Sequence, residues 1–102
     1  MITLEQCRQH CRVDGDEDDY LLEQYRFAAL ETLKTHTSRQ WYESSAEIPA
    51  ADTTGIHYTA AANQAALLLV GHWYAHRETD PAVSDIPMAF WHLIQPYRIY
   101  GL

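Results

Sequence analysis

A central segment of the sequence, from about Thr59 to Glu78, has no polar face over about four turns of a predicted α-helix. Its apolar side chains point in every direction; they are Ala62, Ala65, Ala66, Leu67, Leu68, Leu69, Val70, Trp73 and Tyr74. A helix that is apolar all round must be buried all round. We therefore predict an all-α fold, a small bundle of about four helices around this central helix, with Thr59 as its N-cap.

The chain is short for the task of covering such a helix. Its 102 residues suit one small domain, which buries only about two thirds of the surface that its unfolded chain exposes. Two or three short helices can hardly wrap the central helix completely, so we expect a partner to cover part of it. The residues that we expect at this subunit interface are Ala66, Leu69, Val70, Trp73, Tyr74 and Trp91.

Two helices are predicted before the central one. Thr3 and Gln6 form a capping box at the start of the first, which runs to about Arg12. The second begins near Asp18, keeps its apolar residues on one face, and fades near Thr37–Ser38.

The rest of the chain is less regular. Residues 40–59 form a long irregular loop, whose beginning is either a short helix or a short extended arm. A last helix runs from Met88 to about Gln95, because Pro87 suits its first turn and Pro96 stops it. The apolar tail at 96–102 has little left to bury against, so we expect it to dock on another protein.

The acidic run DGDEDD begins at Asp14 and invites comparison with a calcium-binding loop. An EF-hand loop needs glycine at its sixth position and glutamate at its twelfth. Here those positions hold Asp19 and Tyr25, which argues against calcium. The run is instead typical of a helix start, where Asp16 or Asp18 caps orphan N–H groups at the positive end of the helix dipole.

A second candidate site consists of histidines and cysteines. His72 and His76 stand at i,i+4 on one helix, a spacing that zinc can bridge, and Cys7, His10 and Cys11 form another helical cluster. The histidine pair lacks the glutamate of metalloproteases, and nothing in the sequence brings the two clusters together. Histidines near a helix end also suit its negative pole. We expect no metal or cofactor, and keep a zinc module or zinc enzyme as the alternative.

Composition narrows the remaining functions. Fourteen acids against seven scattered basic residues give a net charge of −7, which argues against tight nucleic-acid binding. The sequence contains no nucleophile elbow and no glycine-rich phosphate loop, so no motif indicates an enzyme.

The two cysteines are expected to be free thiols. On a helix the Cβ atoms of Cys7 and Cys11 would lie about 5–6 Å apart, which is too far for a disulfide. No apolar run is long enough to span a bilayer, and we expect synthesis in the cytosol without membrane attachment.

Three stretches occur in a characteristic order. They are the acidic helix start at Asp16–Asp19, HWYAHRE at His72–Glu78, and LIQPYR, which closes the last helix at Leu93–Arg98. In this order they resemble the head–tail connector, or adaptor, family of long-tailed bacteriophages. The resemblance covers most of the chain apart from residues 40–59, where such proteins differ in length.

The chain departs from the family pattern at the end of the second helix. The family often has Thr-Gly-Arg there, whereas this chain has Thr37-Ser38-Arg39. Without the glycine, the second helix can run on toward Tyr42.

The resemblance implies a structural virion protein of a phage or prophage without catalysis. Such a subunit forms a ring, commonly of twelve copies, between the portal and a stopper or tail-completion protein, and extends the DNA channel. The isolated subunit can be a monomer that assembles only on the portal. An acidic lumen would let DNA pass without specific binding. A helical regulator that binds a host protein as a small closed oligomer is a further alternative.

The resemblance also suggests two functional surfaces. The apolar tail would dock on the portal, so deletion of its last residues should abolish portal binding and leave the fold; its members are Tyr97, Ile99, Tyr100 and Leu102. The acids that line the lumen or rim, or face a neighbour's arginine, are Asp14, Asp16, Glu17, Asp18 and Asp19. The sequence leaves open whether these acids have that function or only start a helix.

Overall fold

The computed structural model of the chain describes residues 1–76 and 86–99. Within these ranges the predicted all-α bundle is confirmed. The helices are α1 (Leu4–Cys11), α2 (Asp19–Thr37), α3 (Ala60–Ala75) and α4 (Met88–Ile94). Two short strands, β1 (Trp41–Tyr42) and β2 (Ile56–His57), lie in the loop between α2 and α3, and short 3₁₀ turns occur at Ser45–Glu47 and Gln95–Tyr97.

The central helix α3 is covered mainly by its own chain, because α1, α2 and α4 all pack against it. Its fully buried residues are Ala62, Ala65, Ala66, Leu69 and Val70. At Gly71 a Cβ would lie 2.8 Å from Nε2 of His10 on α1, so a larger residue there would require the exposed His10 ring to shift. The chain therefore buries α3 more completely than the sequence predicted. The argument that a partner must cover α3 is correspondingly weaker.

The predicted helix starts agree with the structure. Thr3 Oγ1 accepts a hydrogen bond from the Gln6 amide at 3.1 Å, and Gln6 Oε1 accepts one from the Thr3 amide at 2.8 Å, which completes the capping box. Thr59 caps α3 by accepting from the Ala62 amide at 3.2 Å. The far end of α3 is at Ala75, before the predicted Glu78, which lies outside the described residues.

The end of α2 is at Thr37, as its apolar pattern predicted, and the helix does not continue toward Tyr42, which the missing glycine would have allowed. The helix ends at Thr37 because Ser38 takes the left-handed conformation, with φ 58°, and its amide donates to the Lys34 carbonyl at 3.0 Å. Ser38 thus does what glycine does at many helix ends, although a side chain makes this conformation less favourable.

The loop at 40–59 begins as the extended arm, not as a helix. Trp41 pairs with Ile56 in a two-stranded parallel sheet, and Trp41 is only 5% exposed. Its Nε1 donates to Thr37 Oγ1 at 3.0 Å, and its ring stacks on Tyr58 with centroids 5.7 Å apart. These contacts fix the loop to the end of α2.

Candidate assembly surfaces

The acidic run at the start of α2 is divided between two functions. Asp19 accepts two hydrogen bonds from the guanidinium of Arg8 on α1, with Nε to Oδ1 at 2.8 Å. Asp18 accepts a hydrogen bond from the hydroxyl of Tyr74 on α3. Asp18 occupies the predicted N-cap position, but its side chain makes no capping bond. These two carboxylates therefore join α1 and α3 to the start of α2.

The other three acids of the run stay on the surface. Asp14, Asp16 and Glu17 are exposed. The first two, together with Arg8 and Arg12, line a groove of about 740 Å³ between α1 and the following turn. Among residues 1–76 and 86–99, no group of three or more His, Cys, Asp or Glu side chains is arranged to hold a metal ion.

The histidine and cysteine clusters meet in part, a contact that no local pattern in the sequence predicts. His10 and Cys11 at the end of α1 line one groove of about 470 Å³ with His72 of α3. Cys7 instead lies in the core, where burial, and then the neighbouring Cys11, raise the pKa of its thiol to about 11. Because zinc binds the thiolate, this environment does not favour a metal ligand. The zinc alternative therefore has no site in the described part of the chain.

His76 closes the end of α3. Its Nδ1 lies 2.8 Å from the His72 carbonyl oxygen, and the two imidazole centroids are 4.5 Å apart. Both contacts are local to one helix turn, which is the helix-end arrangement expected for histidines at this pole.

The predicted subunit-interface residues fall into two groups. Ala66, Leu69 and Val70 have no exposed surface, so in this conformation their side chains have nothing to offer a partner. The other three residues, Trp73, Tyr74 and Trp91, are partly exposed. The spacing of apolar residues could not separate the buried residues from the partly exposed ones, since α3 is apolar on every side.

The segment Tyr97–Ile99, called here the C-terminal clamp, folds back on its own chain. The Tyr97 ring meets Trp41 edge-on, with centroids 5.6 Å apart. Its carbonyl accepts a hydrogen bond from Arg39 Nε at 2.6 Å, while Arg39 Nη1 donates to the Thr54 carbonyl at 2.8 Å. Arg39 thus holds the clamp and the loop together.

The clamp also completes the end of α2. Arg98 Nε donates to the His36 carbonyl at 3.1 Å, and the Ile99 amide donates to the Thr37 carbonyl at 3.2 Å. The last carbonyl groups of a helix have no hydrogen-bond donor within the helix, so both bonds supply donors that these carbonyls lack. Two residues of the predicted portal-docking tail, Tyr97 and Ile99, are therefore used within the chain.

The other two residues of the predicted tail, Tyr100 and Leu102, lie outside the described residues.

Three large apolar side chains that the sequence prediction did not single out are exposed. Tyr20 is 81% exposed and Phe27 is 54% exposed on the outward face of α2, and Met88 is 69% exposed at the start of α4. The signal for the α2 pair was present in its spacing, because Tyr20 and Phe27 stand two helical turns apart and away from the buried Leu22 and Ala29.

Membrane insertion has no candidate helix here: among the described residues, none of the helices has both the length and the apolar character that crossing a bilayer demands.

Comparison with known proteins identifies the family. A scan against protein-family models matches residues 1–98 to the phage gp6-like head-tail connector protein. A search of curated proteins and a search of solved structures each found no match. The family match spans the acidic helix start, the central helix and the first two residues of the C-terminal clamp. Because it covers nearly all of the 102 residues, this chain belongs to the family of phage gp6-like head-tail connector proteins.

Proposed function

We propose that this chain is an adaptor subunit of the virion, which forms a ring between the portal and the tail or stopper protein and extends the DNA channel. The observation that carries the proposal is the family match over residues 1–98. In this proposal, residues 1–102 form one domain without catalytic function. Its partners are other copies of the chain, the portal, and a stopper or tail-completion protein, all met in the host cytoplasm during assembly.

A ring requires two different contact surfaces on each subunit, because its interfaces are head-to-tail and close by rotation. Trp73, Tyr74 and Trp91 support such a surface, since these residues are partly exposed and aromatic side chains are enriched at interfaces. The three fully buried aliphatic residues of α3 no longer belong to the interface proposal.

The exposed acids support a channel that does not bind DNA. Asp14, Asp16 and Glu17 are the acids of the run that remain on the surface, in a chain of net charge −7. A lumen lined by such groups repels phosphate, so DNA would pass without specific contacts. A contact with a neighbour's arginine is the alternative for the same three residues.

Docking on the portal is proposed for Tyr100–Leu102 alone, because Tyr97 and Ile99 are held by their own chain. A truncation for this purpose should begin at Tyr100, which spares the clamp. Loss of portal binding with an unchanged circular dichroism spectrum is expected. Full retention of portal binding would contradict the docking proposal.

Native mass spectrometry across a concentration series, without chelator, tests the adaptor proposal. A metal-free ring of about a dozen subunits is expected, either from the chain alone or on the purified portal. A metal-free monomer that the portal captures would support assembly on the portal. A monomer or dimer that carries one zinc per chain, or a chain that never associates with itself or with portal, would overturn the proposal.

A further inference from the structure

An aromatic groove lies beside the outward face of α2. Phe27, Leu30 and the Glu31–Lys34 pair form its α2 side, and the loop supplies the other wall. The loop residues of this wall are Gln40, Trp41 and Tyr58. The groove has a volume of about 280 Å³, and its Trp41 and Tyr58 rings stack on each other. Three of its seven lining residues are aromatic, and one of them, Phe27, is 54% exposed.

The charge at the rim of the aromatic groove is balanced. Glu31 and Lys34 are paired, with Oε2 and Nζ 3.6 Å apart. This matters because each copy of the chain has a net charge of −7, and like-charged molecules approach most easily where the local charge cancels. The groove meets that condition, whereas the exposed acids Asp14, Asp16 and Glu17 lie elsewhere.

The same chain carries a side chain that suits the groove. Met88 is 69% exposed in the first turn of α4. The stretch from Met88 to Tyr97 contains no Asp, Glu, Lys or Arg, although Met88, Ala89, His92, Gln95 and Pro96 are exposed. Interface cores are depleted in charge and enriched in methionine and aromatic residues. A flexible thioether also adapts to aromatic walls and makes favourable contacts with them.

We propose that Met88 of one copy inserts into the aromatic groove of the next copy. The groove lies on α2 and the loop, whereas Met88 begins α4, so the contact joins two different surfaces. Such a head-to-tail contact repeats from copy to copy and produces a ring when the rotation closes. The inference rests on the proposed ring and identifies the residues of one of its contacts.

Disulfide trapping tests the contact directly. Met88→Cys and Gln40→Cys are made in separate proteins, because Gln40 is exposed at the rim of the groove. The two proteins are mixed, oxidised mildly, and the mixed disulfide is identified by mass spectrometry of the linked peptides. Gln64→Cys replaces Gln40→Cys in the matched control, because Gln64 is exposed on α3 outside both surfaces.

The expected result is a mixed disulfide between residues 88 and 40 in several-fold excess over the pair 88 and 64. The portal is added if the chain alone stays monomeric. Equal yields, or no disulfide with residue 40 in a sample that assembles, would overturn the inference and leave the adaptor proposal intact. Met88→Ser and Met88→Leu supply a second measurement, since an exposed residue can change without loss of the fold. Assembly should weaken with serine and persist with leucine. A wild-type ring that the serine variant forms equally well would overturn the inference and leave the adaptor proposal intact.

Discussion

The guanidinium of Arg8 on α1 holds the carboxylate of Asp19 in the first turn of α2 through two hydrogen bonds, with Nε to Oδ1 at 2.8 Å. Arg8 Nη1 also reaches Glu5 on its own helix, 3.1 Å away. Both members of the Arg8–Asp19 pair are 28% exposed, so water weakens the pair compared with a buried one. The pair nevertheless links two helices, and it gives one acid of the run a structural function.

Replacement of Arg8 by alanine should lower Tm by a few degrees near neutral pH. Hydrogen bonding from Arg8, and then its charge, hold the pKa of Asp19 below its usual range. A carboxylate with a lowered pKa stabilises the fold above its unfolded pKa and loses that contribution as the pH falls through the folded value. The difference in Tm between wild type and Arg8→Ala should therefore narrow toward about pH 3.

Arg12→Ala is the matched control for that measurement, because Arg12 is exposed at the end of the same helix. It should leave Tm nearly unchanged. A wild-type to Arg8→Ala difference that stays constant from neutral to acid pH would show that the Asp19 carboxylate is not responsible.

Leu69→Ala should destabilise the single chain by about 2–5 kcal/mol, the usual cost of emptying a fully buried leucine site. The loss should not depend on protein concentration, because the chain itself buries Leu69. Urea unfolding at several protein concentrations measures both quantities, with the exposed Gln64→Ala on the same helix as the control. Destabilisation that appears only where the chain oligomerises would return Leu69 to the subunit interface.

Local signals in the sequence were sufficient for most of the helical framework. The capping box of Thr3 and Gln6 and the cap at Thr59 each involve residues three positions apart, so the sequence contains both partners. The end of α2 near Thr37–Ser38 was also predicted, but the backbone conformation that ends it was not. Ser38 adopts a left-handed conformation that favours glycine, and a serine at this position gives no local signal for that conformation.

The functions of individual acids and of the tail depended on distant partners. Asp18 meets Tyr74 across 56 positions, and Arg39 reaches Tyr97 across 58, so neither contact has a local sequence signature. The tail was predicted to dock on another protein from its apolar composition. Composition does not reveal that the last carbonyl groups of α2 need hydrogen-bond donors, which the tail supplies. The outward ring of Phe27, by contrast, could have been recognised from its helical position opposite the buried Leu22.

The stability of the fold should decrease as His36 becomes protonated. Burial, and then the charge of Arg98, lower the pKa of His36, whose ring meets Trp91 edge-on with centroids 4.7 Å apart. A histidine with a lowered pKa stabilises the fold above its unfolded pKa, about 6.5, and this contribution is lost as the pH falls through the folded value. The urea midpoint of wild type should therefore fall between about pH 7.5 and pH 5.

His36→Phe separates that effect from other titrations, because it keeps an aromatic ring beside Trp91 and cannot be protonated. Its urea midpoint should change less over the same pH range. His92→Phe, at an exposed position of α4, is the matched control and should retain the wild-type pH dependence. Equal slopes for wild type and His36→Phe would assign the pH dependence to another group.

Arg39→Ala should release the C-terminal clamp from the loop at a cost of about 1–3 kcal/mol, because it leaves the Tyr97 and Thr54 carbonyls without their charged donor. Arg39→Lys retains the charge but cannot reproduce a fork of two donors, so it should recover only part of the loss. Amide hydrogen exchange locates the effect: the Ile99 amide, bonded to Thr37, should exchange faster, while the Gln6 amide in the α1 capping box should not change. Unchanged exchange at Ile99 in Arg39→Ala would show that Arg39 does not hold the clamp, which would then depend on the Tyr97–Trp41 ring contact and the bonds to the end of α2.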